Sequence, residues 1–364
     1  MLLDNPFHDA FGLDIGDLSI KLIRLAKHNR FRQTPYFSVA DVRTVALPPG
    51  YIVDGELQQP ELVRKKLLFL LGKEGKKYRP IRSPWVVADL PEPKTFLKLI
   101  EIDTPPDQIT IDDVNMHARR HLPYELEETY LDWYVVNASD QNAKKSQVLI
   151  GAATKVIADS YTYLLDSVGL TPITMEIEAI ALARALITAS KSYEGEARIL
   201  LDLGATRSSM VIYDNSSIQF SATLQFSGEL LTTAISQELK IDYEQAENLK
   251  IANGLAYDKT RPKYLPVVAR AVDDLIAEIK KTIVFYQEHF TNVNPVTHIT
   301  MCGGLARLKN IDNVLSQKLN IPTYPGHPWK NLNNDKKFSE QDNIDATAMA
   351  SAIGLALRAS ANIL

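Results

Sequence analysis

The sequence predicts an α/β protein built as two related lobes, on three observations. The segment FGLDIGDLSIKLIRL at 11–25 has an apolar run, an Asp, a Gly, a polar turn and a second apolar run. The same design returns half a chain later as LLDLGATRSSMVIYD at 200–214. Strand patterns follow each copy, with helical patterns between them. Third, the buried strand THITMC runs into the double glycine Gly303–Gly304 ahead of a helix. A chain of 364 residues has room for about two domains.

The elements follow in order. Residues 11–47 alternate and read as two or three strands with turns near Gly16 and Asn29. PELVRKKLLFLLG at 60–72 has helical spacing after a proline start, with Gly72 as its stop. The basic stretch LGKEGKKYRPIR, with Arg64, Lys65 and Lys66, is either a solvated helix face or a patch for anionic lipid. From about 83 to 170 the order is strand, strand, helix, strand, strand, helix, with the first helical pattern, IDDVNMHARRHLPYELEE, interrupted by Pro123. That order suits a compact inserted subdomain. TMEIEAIALARALITAS at 174–190 begins as a strand and becomes an alanine-rich helix. Strands then fill 197–226, and helical patterns cover 227–253 and 265–291. KNLNNDKKFSEQDN reads as a surface loop, and DATAMASAIGLALRAS as a closing helix with a face of small residues.

Composition excludes several classes. A net charge of −4 gives no bulk attraction to nucleic acid. The single cysteine, Cys302, rules out an internal disulfide and suits a reducing cytoplasm. The first residues lack the cationic start and apolar core of a signal peptide. No apolar run approaches the ~18–20 residues of a membrane span, so a membrane is met only through a partner or a surface. The seven histidines show no metal-ligand spacing.

Asp, Gly, Ser and Lys at a tight bend have a plain explanation, because turns collect residues that suit turn dihedrals. The repeat supports a sharper one. Two facing bends close on one anion, their N–H groups forming concave donors for phosphate. Asp14 and Asp202 then act through a divalent cation, since carboxylate and phosphate repel. A strand ending at Gly303 and Gly304 either makes a tight strand-to-helix turn or lets backbone approach a ligand closely.

With these elements in this order, the sequence resembles the actin-like ATPase superfamily. FGLDIGDLSIK and LLDLGATRSS are similar to its two phosphate loops, and ITMCGGLARL to its adenosine loop. MEIEAIALARA and AMASAIGLAL are similar to its two connecting elements. Within the superfamily, NMHARRHLPYELEETYLDWYVV resembles the PilM family of type IV pilus assembly proteins. The resemblance implies an actin-like two-lobed ATPase fold of ribonuclease H-like mixed sheets, with ATP and Mg²⁺ in the cleft. It implies a first lobe over 1–198 plus 340–364, a small α+β insert at about 83–170, and a second lobe over 199–339. It also implies a cytoplasmic scaffold at the inner face of the cell membrane. Such a scaffold binds the N-terminal peptide of the membrane protein PilN beside the insert, and forms a ring near the pilus motor ATPases. An FtsA-like division filament and a small-molecule kinase are the alternatives. The sequence offers a kinase no evident acceptor base, and any hydrolysis is expected to be slow.

The resemblance places Gly16, Asp17, Ser19 and Lys21 in the first phosphate loop, and Asp202, Gly204, Ala205 and Thr206 in the second. Glu247 and Lys250 fall beside ribose and base, with Gly228, Gly303 and Gly304 around the nucleotide. Asp17 departs from the family pattern, which often has Ser or Thr there. An acid at that position faces phosphate unless a metal or the turn geometry turns it away. Glu176 and Glu178 occupy the first connecting element, where one of them would order a water or a hydrated Mg²⁺. By residue type alone, Lys21 equally suits a strand surface, Thr206 a turn, Glu247 with Lys250 an i,i+3 ion pair, and the two glutamates a solvated strand edge.

Overall fold

The computed structural model of the chain describes residues 6–7, 9–28, 36–137, 143–332 and 345–360. Its first sheet is built on β1 (Phe11–Ile15), where five successive residues are buried. A strand covered on both faces needs such an unbroken apolar run. β2 (Ser19–His28) and β3 (Tyr36–Ala46) add to β1 antiparallel on one side. β6 (Trp85–Leu90) and β10 (Thr171–Ile177) add parallel on the other, in the order β3-β2-β1-β6-β10. Between β3 and β6 lie the short hairpin β4 (Ile52–Val53) and β5 (Glu56–Leu57), and helix α1 (Pro60–Leu70).

The second half repeats the plan. β11 (Ala197–Leu203), β12 (Ser208–Asp214) and β13 (Ser217–Leu224) form an antiparallel run, and β14 (Val296–Cys302) and β15 (Thr323–Pro325) pair parallel on the far side of β11. The order β13-β12-β11-β14-β15 matches the first sheet position for position. β1 and β11 are equivalent, and so are the bends that follow them.

Within the expected insert, β7 (Thr95–Ile102), α2 (Ile111–Ala118), β8 (Thr129–Val135) and β9 (Ser146–Thr154) have their own small core around Ile100, Val114, Val148 and Ile150. Their strands extend the second sheet to eight, joined to β13 by one residue pair, Phe220 with Lys98. β6 and α3 (Lys155–Ser167) also fall inside 83–170, but both pack with the first lobe. The unit that stands outside the repeated plan therefore runs from β7 to β9.

α4 (Glu178–Leu186) and α9 (Ala350–Ser360) pack between the sheets, with Leu182 and Ile353 against Leu200 and Val211. Nearly every residue of α9 is buried. Its small residues admit backbone contacts. A Cβ on Gly354 would lie 1.9 Å from the Ala181 carbonyl oxygen, and one on Gly12 would lie 2.3 Å from the Ala356 nitrogen.

Two helical patterns end differently from expectation. The 227–253 pattern is two helices, α5 (Gly228–Leu239) and α6 (Tyr243–Asn253), because Lys240 turns left-handed at φ 53°. α2 stops at Ala118, before Pro123, and a short 3-10 turn follows at Leu126–Glu128. α7 (Tyr264–His289) and α8 (Ile311–Leu319) lie on the second lobe. The expected turn at Asn29 and most of the expected polar loop after Lys330 lie outside the described residues.

Candidate functional site

The two equivalent bends line one cleft of about 650 Å³. Asp14, Gly16, Asp17, Ser19 and Lys21 reach it from the first lobe. Asp202, Gly204, Ala205 and Thr206 reach it from the second. Gly228, Glu247, Lys250, Gly303 and Gly304 border it, and Glu178 lies on its floor.

The bends also touch. Arg207, on the second bend, donates two hydrogen bonds to Asp17 on the first, at 3.0 and 3.1 Å. Asp17 is buried and accepts a further bond from the Gly55 N–H at 3.2 Å. Its negative charge is thereby turned toward a guanidinium. Burial alone would weaken the Arg207 charge, but Asp17 and Glu178 hold it firmly protonated.

The floor is acidic around one lysine. Lys21 Nζ lies 2.8 Å from Asp14, opposite it across the β1–β2 pair. Burial pulls the Lys21 pKa down, yet the Asp14 charge and hydrogen bond, with Glu178 and Asp202 beyond, raise it above its ordinary value. Burial pushes the carboxyls of Asp89, Glu178 and Asp202 upward, the Asp14 charge adds to the shift at each, and Asp202 and Asp89 raise Glu178 further. Asp89 accepts from the Ile15 N–H at 3.1 Å, and Glu178 from the Ser351 hydroxyl at 2.9 Å. Burial likewise raises Glu92 to about 7, and its Oε2 is buried without a hydrogen-bond partner. Among the described residues, no three His, Cys, Asp or Glu side chains are placed to hold a metal ion directly. Asp14 and Asp202, one from each sheet, line the cleft as the carboxylates through which a hydrated cation would be held.

The opposite wall is built by α5 and α6. Lys250 is buried and donates to the Gly228 carbonyl at 3.0 Å and to the Thr232 hydroxyl at 2.8 Å, with Glu247 at 2.7 Å. Its charge is spent tying the two helices together, whereas Glu247 keeps one face toward the cleft. Gly303 sits at φ 82°, and a Cβ there would lie 2.4 Å from Asp202 Oδ1. Only glycine lets the β14 turn pass so close to the second bend.

Glu176 is not part of the cleft. It sits on β10, takes two bonds from Arg184 at 2.7 and 2.9 Å, and has Arg358 at 3.5 Å. Its carboxylate clamps α4 and α9 to the strand, so of the two glutamates only Glu178 faces the site. Cleft residues that the sequence reading did not single out include Arg207, Asp89, Glu92 and Ser351. An acid closing an apolar strand, as in WVVADL, was the one available signal for Asp89.

Comparison with known proteins fits this architecture. The structure matches a chain of a PilM–PilN type IV pilus biogenesis complex with a TM-score of 0.80 and 22% identity, covering 98% of this chain and 100% of that one. MreB5 of Spiroplasma citri, bound to ADP, matches at TM-score 0.52 and 13% identity over 96% and 95% of the two chains. EutJ of Carboxydothermus hydrogenoformans matches at 0.53 and 14% over 95% and 88%. By sequence, cell division protein FtsA of Buchnera aphidicola subsp. Baizongia pistaciae is 23% identical over 43% of this chain, which spans 42% of that relative's length. The fold is that of the actin-like ATPases. Residues 12–360 match the family described as Type IV pilus assembly protein PilM, and the chain belongs to that family.

Proposed function

We propose that the protein is an ATP-binding actin-like scaffold of a type IV pilus platform at the inner face of the membrane, docking the cytoplasmic N-terminal peptide of a PilN-like partner. A ring of copies near the motor ATPases is the wider setting of this reading. One observation carries the nucleotide part: two equivalent bends, one per lobe, face a single cleft and meet through Asp17 and Arg207.

In this reading the phosphates lie between the bends, near Lys21 and Arg207. Mg²⁺ would neutralise phosphate charge, held through water by Asp14 and Asp202. Glu247 accepts from the ribose hydroxyls, and Gly303 and Gly304 leave room for the base. A nucleotide gripped from both lobes favours the closed cleft by its differential affinity for that form. Hydrolysis is slow at most, because the floor carboxyl of Glu178 is already held by the Ser351 hydroxyl and burial disfavours its charged form.

Gly304 gives the test of the site. A Cβ there meets nothing within 4 Å, so added bulk projects into the cleft and spares the fold. Gly304→Leu and Asp202→Ala are each expected to weaken Mg²⁺-dependent ATP binding by about tenfold or more. Calorimetry returning the wild-type affinity in both variants would remove the assignment.

For the peptide, a second cavity of about 510 Å³ lies where the insert meets the second lobe, lined by Phe96, Lys98, His121, Phe220 and Phe285. β7 and β13 are paired there at a single position, so their edges splay around the groove. Phe285→Glu is expected to weaken a PilN peptide by about tenfold while ATP binding persists. Unchanged peptide affinity would put the partner on another surface.

A further inference from the structure

The first lobe carries a basic surface apart from both cavities. α1 supplies Arg64, Lys65 and Lys66. The segment after it folds back on the end of the helix: the Ile81 N–H donates to the Leu71 carbonyl at 2.9 Å, and Tyr78 meets Phe69 edge-on at 5.7 Å. This fold brings Lys73, Lys76, Lys77, Arg79 and Arg82 to the same region. Residues 61–82 thus hold eight cations against two acids, Glu61 and Glu74, a net +6. The chain as a whole is −4, which leaves −10 on all the other residues.

Some of these cations have structural duties. Arg64 and Lys73 donate to the Ser167 and Val168 carbonyls at the end of α3, and Lys77 lies over the Tyr78 ring at 4.9 Å. The side chains of Lys65, Lys66, Lys76, Arg79 and Arg82 make no hydrogen bond or ion pair with the described residues, and all but Lys66 are exposed. Several surface cations elsewhere are neutralised: Lys94 by Glu56, Lys145 by Glu101, Lys318 by Asp273. Like charges gathered on one surface repel one another, and an anionic partner relieves the repulsion.

We propose that this surface docks on an anionic lipid bilayer. The cations are spread over a helix and its returning loop and line neither of the two cavities above, so they suit a flat array of headgroups better than one bound anion. The half-buried Tyr78 supplies an amphipathic ring of the kind that tolerates a membrane interface, packed on the apolar ring of Phe69. A nucleic acid fits less well. Residues 61–82 contain no Asn, Gln, Ser or Thr for directional phosphate or base contacts, and the −10 on the remainder repels a long polyanion. Among the described residues no helix is long and apolar enough to cross a membrane, so the contact is peripheral. The separation of charge also orients the protein, with the acidic remainder facing away from the lipid.

The full chain is tested by co-sedimentation with phosphatidylglycerol–phosphatidylcholine vesicles, with vesicles of phosphatidylcholine alone as the neutral arm. We expect binding to the anionic vesicles only, falling as salt is raised. Each basic residue near such a surface contributes about fivefold. Joint replacement of Lys65, Lys66, Lys76, Lys77, Arg79 and Arg82 by Ala should therefore reduce binding by about 10⁴-fold, below what sedimentation detects. The pairs Lys65→Ala with Lys66→Ala, and Lys76→Ala with Lys77→Ala, should each give a partial loss at an unchanged melting temperature. Neutralising Lys280, Lys281, Lys309 and Lys318 on the second lobe should leave binding intact. Equal binding to neutral vesicles, no binding to either kind, wild-type binding by the patch variants, or displacement from vesicles by duplex DNA would each overturn the proposal.

Discussion

Replacing Gly354 by valine is expected to leave little folded protein. α4 and α9 cross with their backbones in contact, and a Cβ at 354 would stand 1.9 Å from the Ala181 carbonyl oxygen and 2.5 Å from its carbon. No flexible side chain is there to move aside. On the other flank, Gly12 of β1 approaches the Ala356 nitrogen as closely as backbone permits, so α9 cannot retreat. Overpacking a core costs about 1–3 kcal/mol where side chains can shift; backbone against backbone should exceed the top of that range. Domains have only about 5–15 kcal/mol in hand. Thermal denaturation should show a melting temperature lower by at least about 5 °C, or no cooperative transition. A variant melting with the wild type would mean that α4 and α9 are not so closely packed.

Arg207→Ala should have the second largest effect. It removes both bonds from a guanidinium and leaves the Asp17 carboxylate buried with only the Gly55 N–H. Breaking one side of a buried pair costs about 3–5 kcal/mol, chiefly because the stranded charge has lost its partner. Adding Asp17→Ser should return much of that loss. In a double-mutant cycle the two changes should be strongly non-additive. Additive losses would show that the bends do not couple. Asp17→Ser alone carries a second expectation, which rests on the nucleotide reading. It takes an anion out of the phosphate turn and frees Arg207 for the ligand. ATP affinity should rise by about tenfold, whereas an internal carboxylate with no competing role would leave it unchanged.

Much of the architecture was legible because it is written locally. The five consecutive buried residues of β1 and the apolar run of β11 mark the strands at the centre of each sheet. The shared Asp–Gly turn chemistry marked the two bends, and the small residues of α9 announced close packing. Less was readable where a single residue decides. The break between α5 and α6 depends on the left-handed Lys240, which hydrophobic periodicity does not register. The attachment of β7 to β13 is one residue pair formed between strands far apart in sequence. Glu176 and Glu178 look alike in MEIEA. One faces Arg184 and Arg358 and the other faces the cleft, because the chain passes from strand to helix between them.

From its sequence alone, this protein has determined its repeated strand–turn–strand units, the glycines that let backbone segments meet, and its family. Only the tertiary structure decided that Asp17 would face a guanidinium 190 residues away and that Glu92 would be buried with an oxygen unpartnered. Periodicity reports how each segment is buried, a property of neighbours along the chain. The partner of a charged group is chosen by which distant segments the fold brings together, and that choice leaves no local trace.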